Sequence, residues 1–118
     1  MRVLLATDRP HLGEALCVFL SEHDIDVVAV ATDAGGVRAL AAATCPDAVL
    51  IDWQLTGAGA SCVVADLKRA GRPAPVIVMC TSTERPLANM AEADGHVTVG
   101  DPPEELLAVL RRAVPAAN

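Results

Sequence analysis

The chain has 118 residues, a length that suits one domain around a single core and excludes two. Hydrophobic residues make up 53% of it, yet it holds one Phe, one Trp and no Tyr, so Val, Leu, Ile and Ala must build the core and a disordered chain is excluded. Nine basic against fifteen acidic residues leave a formal charge of -6, which repels phosphate backbones and argues against a nucleic-acid grip by this chain alone.

In chain order, Arg2 to Ala6 reads as a strand. Leu12, Ala15, Leu16, Phe19 and Leu20 then fall at the spacing of one buried helix face. Asp26 to Ala31 is a second strand, followed by a short amphipathic helix with Val37, Leu40 and Ala41 inward. Ala48 to Asp52 is the third strand. A third helix from about Ser61 to Ala70 carries Lys68 and Arg69 in its last turn and Gly71 beyond it, as the helix dipole and a left-handed cap favour. Pro75 opens a fourth strand, Val76 to Cys80, and Thr83 is placed to cap a fourth helix with Leu87, Met90 and Ala91 inward. His96 to Val99 is a short fifth strand. Asp101 as N-cap, Pro102 at the first helical position and Glu104 as the capping-box acid then launch a fifth helix with Leu106, Val109, Leu110 and Ala113 inward. Residues 1–114 form the expected domain, and Pro115 to Asn118 reads as a linker stump.

The longest apolar runs, such as Ala48 to Ile51 and Val76 to Cys80, are too short to span a bilayer, and no signal-peptide pattern opens the chain, so a cytoplasmic protein without membrane contact is expected. Cys17, Cys45, Cys62 and Cys80 form no C-x-x-C pair, and His11 and His23 lie apart from them, so neither a zinc site nor a disulfide framework is expected.

Strands alternating with helices, and strands apolar on both faces, predict an α/β fold: a doubly wound five-stranded parallel sheet between two helical layers, order 2-1-3-4-5. In such sheets ligands bind beyond the carboxyl ends of the strands where the winding reverses, between strands 1 and 3. Thr7 and Asp8 end strand 1 and Asp52 ends strand 3; Cys80 and Thr81 end strand 4, and Val99 and Gly100 end strand 5. Asp8 alone reads equally as a helix cap, and Asp52 as a turn-forming acid before Thr56-Gly57. Together they form a like-charge pair that needs a hard divalent cation or a shared proton, and a magnesium-type site is the sharper reading.

Val3-Leu4-Leu5-Ala6-Thr7-Asp8-Arg9-Pro10, Pro46-Asp47-Ala48-Val49-Leu50-Ile51-Asp52, the strand from Pro75 to Met79 and Pro102-Pro103-Glu104-Glu105-Leu106 resemble the response-regulator receiver domain of two-component signalling, a flavodoxin-like fold. The resemblance spans essentially the whole chain and is closest to receivers fused to a helix-turn-helix DNA-binding domain. It implies that Asp52 takes the phosphoacceptor position for a histidine kinase, and that Asp8, Asp52 and the backbone carbonyl of Gln54 would hold Mg2+. A carboxylate attacks phosphorus when cations neutralise the phosphoryl oxygens.

The departures from the family pattern weaken that chemistry. Thr7 replaces the first of two acids and so weakens the metal site. Cys80 stands at the switch hydroxyl, and Thr81 replaces it only with a register slip. Val99 stands at the lysine position, and the sole lysine, Lys68, is on the third helix. His96 stands at the switch aromatic; Thr56 and Gly59-Ala60 replace the usual loop proline and acid-glycine, and the segment between strands 4 and 5 is about one helical turn short.

The expectation is an atypical, degenerate receiver: a signalling domain, not an enzyme beyond slow self-phosphorylation, that regulates a transcriptional output through a small-molecule ligand, a partner or dimerisation across the faces of the fourth and fifth helices. The competing reading is an efficient phosphoacceptor at Asp52. DNA contact would come only from a separate C-terminal domain. An enzyme of another flavodoxin-like family would need a glycine-rich phosphate loop, and Arg9-Pro10-His11 offers none. Trp53 reads as a lid or partner anchor, or as ordinary packing on a loop; Cys80 as a redox thiol pointing into the cleft, or as inert filler; His96 as a pH sensor, or as a satisfied imidazole.

Overall fold

The computed structural model describes residues 1–55, 60–69, 74–84 and 93–114. Five strands, β1 (Arg2–Ala6), β2 (Asp26–Ala31), β3 (Ala48–Asp52), β4 (Val76–Cys80) and β5 (Gly95–Thr98), form one parallel sheet in the order β2-β1-β3-β4-β5. The described helices are α1 (Pro10–Glu22), α2 (Ala34–Thr44), α3 (Ala60–Arg69) and α4 (Pro103–Ala113). The fourth expected helix, with Leu87, Met90 and Ala91, lies outside the described residues, as do Thr56, Gly59 and the stump from Pro115.

Side-chain alternation along the strands divides the core into two layers. Leu4, Val49, Ile51, Val78 and Cys80 pack with Val37 and Ala41 of α2 and Val63, Val64 and Leu67 of α3. Val3, Leu5, Leu50, Ile77 and Met79 face the other way, onto Leu20 of α1 and Leu106, Leu107, Val109 and Leu110 of α4. Central β3 and β4 are buried along their whole length. Continuous apolar strands are what a sheet covered on both faces requires.

Local chemistry fixes several boundaries. Pro10 takes the first position of α1 and forces Arg9 before it into an extended conformation, φ -101 and ψ 104, with no side-chain cap. Asp8 is therefore not the helix cap. Asp33 caps α2 by accepting the Gly36 N–H at 2.8 Å, and Cys45 ends that helix in the left-handed region at φ 47. Gly95 lets α4 close on β5, because a Cβ there would lie 2.8 Å from Val109 Cγ1.

Some elements depart from the sequence expectation. Ala15 is exposed, while Leu12, Leu16 and Phe19 are half-buried; the close approach of α1 to the sheet falls at Gly13, buried against Thr7. β5 begins one residue early, at Gly95, and ends at Thr98. In α4, Pro103 holds the first helical position and Pro102 the cap, because the Asp101 carboxylate turns back to accept the Thr98 N–H at 3.2 Å. Thr81 and Glu84 exchange reciprocal bonds ahead of the expected fourth helix, whose cap at Thr83 cannot be followed within the described residues.

Candidate functional site

β1 and β3 run side by side with Ala6 opposite Ile51, so the next residues, Thr7 and Asp52, meet at the carboxyl rim of the sheet. Both are buried polar residues, at 2% and 1% exposure. A buried carboxylate is sustainable only if its oxygens are paired. The Thr7 hydroxyl donates to Asp52 Oδ2 at 3.0 Å, Arg9 Nε donates to the same oxygen at 2.8 Å, and the Gln54 backbone N–H donates to Oδ1 at 3.1 Å.

Arg9 is the group that sequence reasoning missed. Its backbone N–H donates to Thr7 Oγ1 at 3.1 Å, so the extended turn imposed by Pro10 delivers the guanidinium to the rim. The bond to Asp52 raises the Arg9 pKa above its ordinary value; burial works against this, and the charges of Asp52, Asp8 and Glu84 add to it. The arginine side chain remains 41% exposed while its partner is 1% exposed, so one end of this ion pair is dry and the other is hydrated.

The hydrogen bonds continue outward from Asp52. The Gln54 side-chain amide donates to Glu84 Oε2 at 2.8 Å. Glu84 Oε1 accepts the Thr81 N–H at 2.9 Å, and Thr81 Oγ1 accepts the Glu84 N–H at 3.2 Å, a reciprocal capping-box pattern. The Glu84 carboxyl is held below its usual value, first by the Thr81 backbone bond, with Gln54 and the Thr81 side chain adding to it; burial and the Asp52 charge oppose the shift.

Asp8 is half-buried one residue beyond Thr7, and its charge acts on Arg9. Cys80 does not point into the cleft: Asp52 pairs with Met79, so Cys80 faces the α2–α3 side, 1% exposed, with its thiol 3.8 Å from the Val97 carbonyl. Thr81 has its hydroxyl engaged by Glu84. Val99 is exposed, and its N–H donates to the Cys80 carbonyl at 2.7 Å. His96 is half-buried opposite Val78, beside Asp94, Val109 and Arg112. Trp53 packs, partly buried, against the α2–α3 core layer.

Magnesium on Asp8, Asp52 and the Gln54 carbonyl would have to compete with this arrangement at Asp52 Oδ2. The metal needs oxygen ligands in near-octahedral geometry, whereas Asp52 Oδ2 already carries a guanidinium N–H and a hydroxyl. Among the described residues no group of three His, Cys, Asp or Glu side chains is placed to hold a metal ion.

No protein-family model matches the chain. The transcriptional regulatory protein KdpE of Mycobacterium tuberculosis is 36% identical over 115 residues, covering 95% of this chain and 50% of that protein. The BeF3-activated N-terminal receiver domain of Klebsiella pneumoniae RstA superposes with a TM-score of 0.86 at 26% identity, over 98% of this chain and 100% of that one. The chain belongs to the response-regulator receiver family. The receiver spans about half the length of the curated relatives it matches. The receiver domain of the sensor histidine kinase PA1611 from Pseudomonas aeruginosa, with magnesium coordinated in its active-site cleft, shares the fold at TM-score 0.87 and 19% identity, over 98% of each chain. Among the described residues no helix is long and apolar enough to cross a membrane.

Proposed function

We propose that this receiver regulates the output of a two-component response regulator through partner, ligand or self-association, with Asp52 a vestigial or slow phosphoacceptor. The observation that carries this reading is the clamp on Asp52, whose two oxygens accept three hydrogen bonds, one of them from a cation, at 1% exposure. A nucleophile held in this way gives up part of this bonding as it turns toward phosphorus: the Thr7 and Gln54 bonds are worth about 1.5–3 kcal/mol each, and the pair with the 41%-exposed Arg9 at most about 1 kcal/mol.

The groups that would receive a phosphoryl group are also weak. Val99 offers no charge at the lysine position, and Cys80 faces the opposite side of the sheet from Asp52. Phosphorylation would therefore gain little stabilisation and couple poorly to the rest of the domain. Something else must favour one state, and a partner that binds one conformation better is sufficient. The likeness to KdpE supports a transcriptional output carried by a further domain, with DNA contact made there, in the cytoplasm.

The second reading, phosphorylation of Asp52 by a histidine kinase, is favoured by the likeness to the BeF3-activated RstA receiver and by a cation already beside Asp52. Incubation with acetyl phosphate and magnesium, followed by intact mass measurement, separates the two. Our reading expects little or no phosphoryl adduct on the wild type. Rapid stoichiometric labelling that disappears in Asp52→Asn would overturn it.

A further inference from the structure

Asp8, Asp52 and Glu84 all act on Arg9. Lys68, the chain's only lysine, pairs instead with Asp94 at 3.9 Å, and the residue just beyond β5 is Val99. Among the described residues, the Arg9 guanidinium is thus set among three carboxylates. Its placement is built in: Pro10 fixes the turn, the Arg9 N–H is tied to Thr7 Oγ1, and Nε meets the buried Oδ2 of Asp52.

We infer that Arg9 takes the place of the divalent cation at this rim, so that magnesium is neither bound by the receiver nor needed to hold Asp52. The inference rests on the reading of Asp52 as a clamped carboxylate. Thr7 belongs to the same substitution. Where an acid would add a further charge, a hydroxyl adds a donor to Asp52 Oδ2, so that this oxygen is held by Thr7 and the charge of Arg9. A guanidinium also repels a dication approaching the same oxygen, so the two cations are alternatives.

The test uses the whole chain, with magnesium chloride as the probe and sodium chloride at matched ionic strength as the control. Melting temperature and Trp53 emission are the readouts, because Trp53 adjoins Asp52 in the chain. The wild type is expected to show no magnesium-specific change in either. Arg9→Gln, which removes the charge, is expected to melt lower without the metal. It should then gain a rise of about 5 °C at tenfold the dissociation constant together with a saturable Trp53 response, both lost again when Asp52→Asn is added.

A saturable magnesium response of the wild type that depends on Asp52 would overturn the inference, and it needs no variant to fold. A folded Arg9→Gln protein that stays indifferent to magnesium would overturn it too. The acetyl phosphate experiment keeps the two ideas apart: a wild type that binds magnesium but takes no phosphoryl group refutes the role of Arg9 alone. A wild type labelled without magnesium refutes only the functional reading.

Discussion

The sign of the stability change in Asp52→Asn tests whether Asp52 is a compensated charge. If Asp52 were an unpaired acid repelled by Asp8, a neutral amide there would stabilise the fold. In the arrangement described above the same substitution destabilises it. Asn has one acceptor oxygen where Asp has two, and donors approach from both sides: Thr7 Oγ1 and Arg9 Nε on Oδ2, the Gln54 N–H on Oδ1. Whichever way the amide turns, its NH2 faces a donor. One contact is lost, and those that remain fall from charge-assisted strength, about 1.5–3 kcal/mol, to about 1 kcal/mol. The Arg9 contribution is discounted to at most about 1 kcal/mol because that side chain is 41% exposed. Burying a neutral group in place of a charge returns part of the loss, and the net expectation is about 2 kcal/mol of destabilisation, or about 8 °C in Tm for a chain of this length. Urea unfolding followed by Trp53 emission and circular dichroism measures it. An Asn variant as stable as the wild type, or more so, would refute the reasoning.

Three further outcomes are expected. Thr7→Val, of nearly the same shape, removes a donor to buried Asp52 Oδ2 and the acceptor of the Arg9 N–H, and should cost about 1.5–3 kcal/mol in urea unfolding, whereas Thr7→Ser should recover most of it. Gly95→Ala sets a Cβ 2.8 Å from Val109 Cγ1 and 3.4 Å from Ile77 Cγ1, so a melting experiment should show a loss of about 1–3 kcal/mol. Glu84 has a folded-state pKa below its unfolded value of 4.5, so the stability it contributes is complete above that value and lost as the pH falls through the folded value. Stability curves of wild type and Glu84→Gln should therefore converge on acidification, and parallel curves down to low pH would contradict the assignment.

How much of this was legible in the sequence follows from which interactions are local. The ends of β1 to β4 match the reading to the residue: β3 and β4 are buried on both faces and leave no polar position to blur their limits, and the edge strand β2, exposed at Asp26 and Val30, is marked by its valines. The rim position of Asp52 followed from strand order. Arg9 was not legible as a partner of Asp52, since the pairing spans 43 positions and depends on a side-chain direction that periodicity does not encode. The Arg-Pro pair straight after the strand was its only signal, because proline fixes the turn that carries the arginine. Of the two readings of Cys80, the cleft-facing thiol fails and the buried filler stands, as alternation was enough to decide: with Asp52 opposite Met79, the next residue must face the other layer. The Thr81-x-x-Glu84 capping pattern was likewise present in the sequence, masked by the nearer Thr83.

The pairing of Arg9 with Asp52 is the centre of the account, and it has its own signal in the Nε–H proton of Arg9 observed by NMR. The account expects one arginine Nε–H resonance that is shifted and slow to exchange in the wild type, unchanged by magnesium, and returned to the solvent-averaged position in Asp52→Asn. An Arg9 Nε–H that already exchanges like those of the exposed arginines would contradict it.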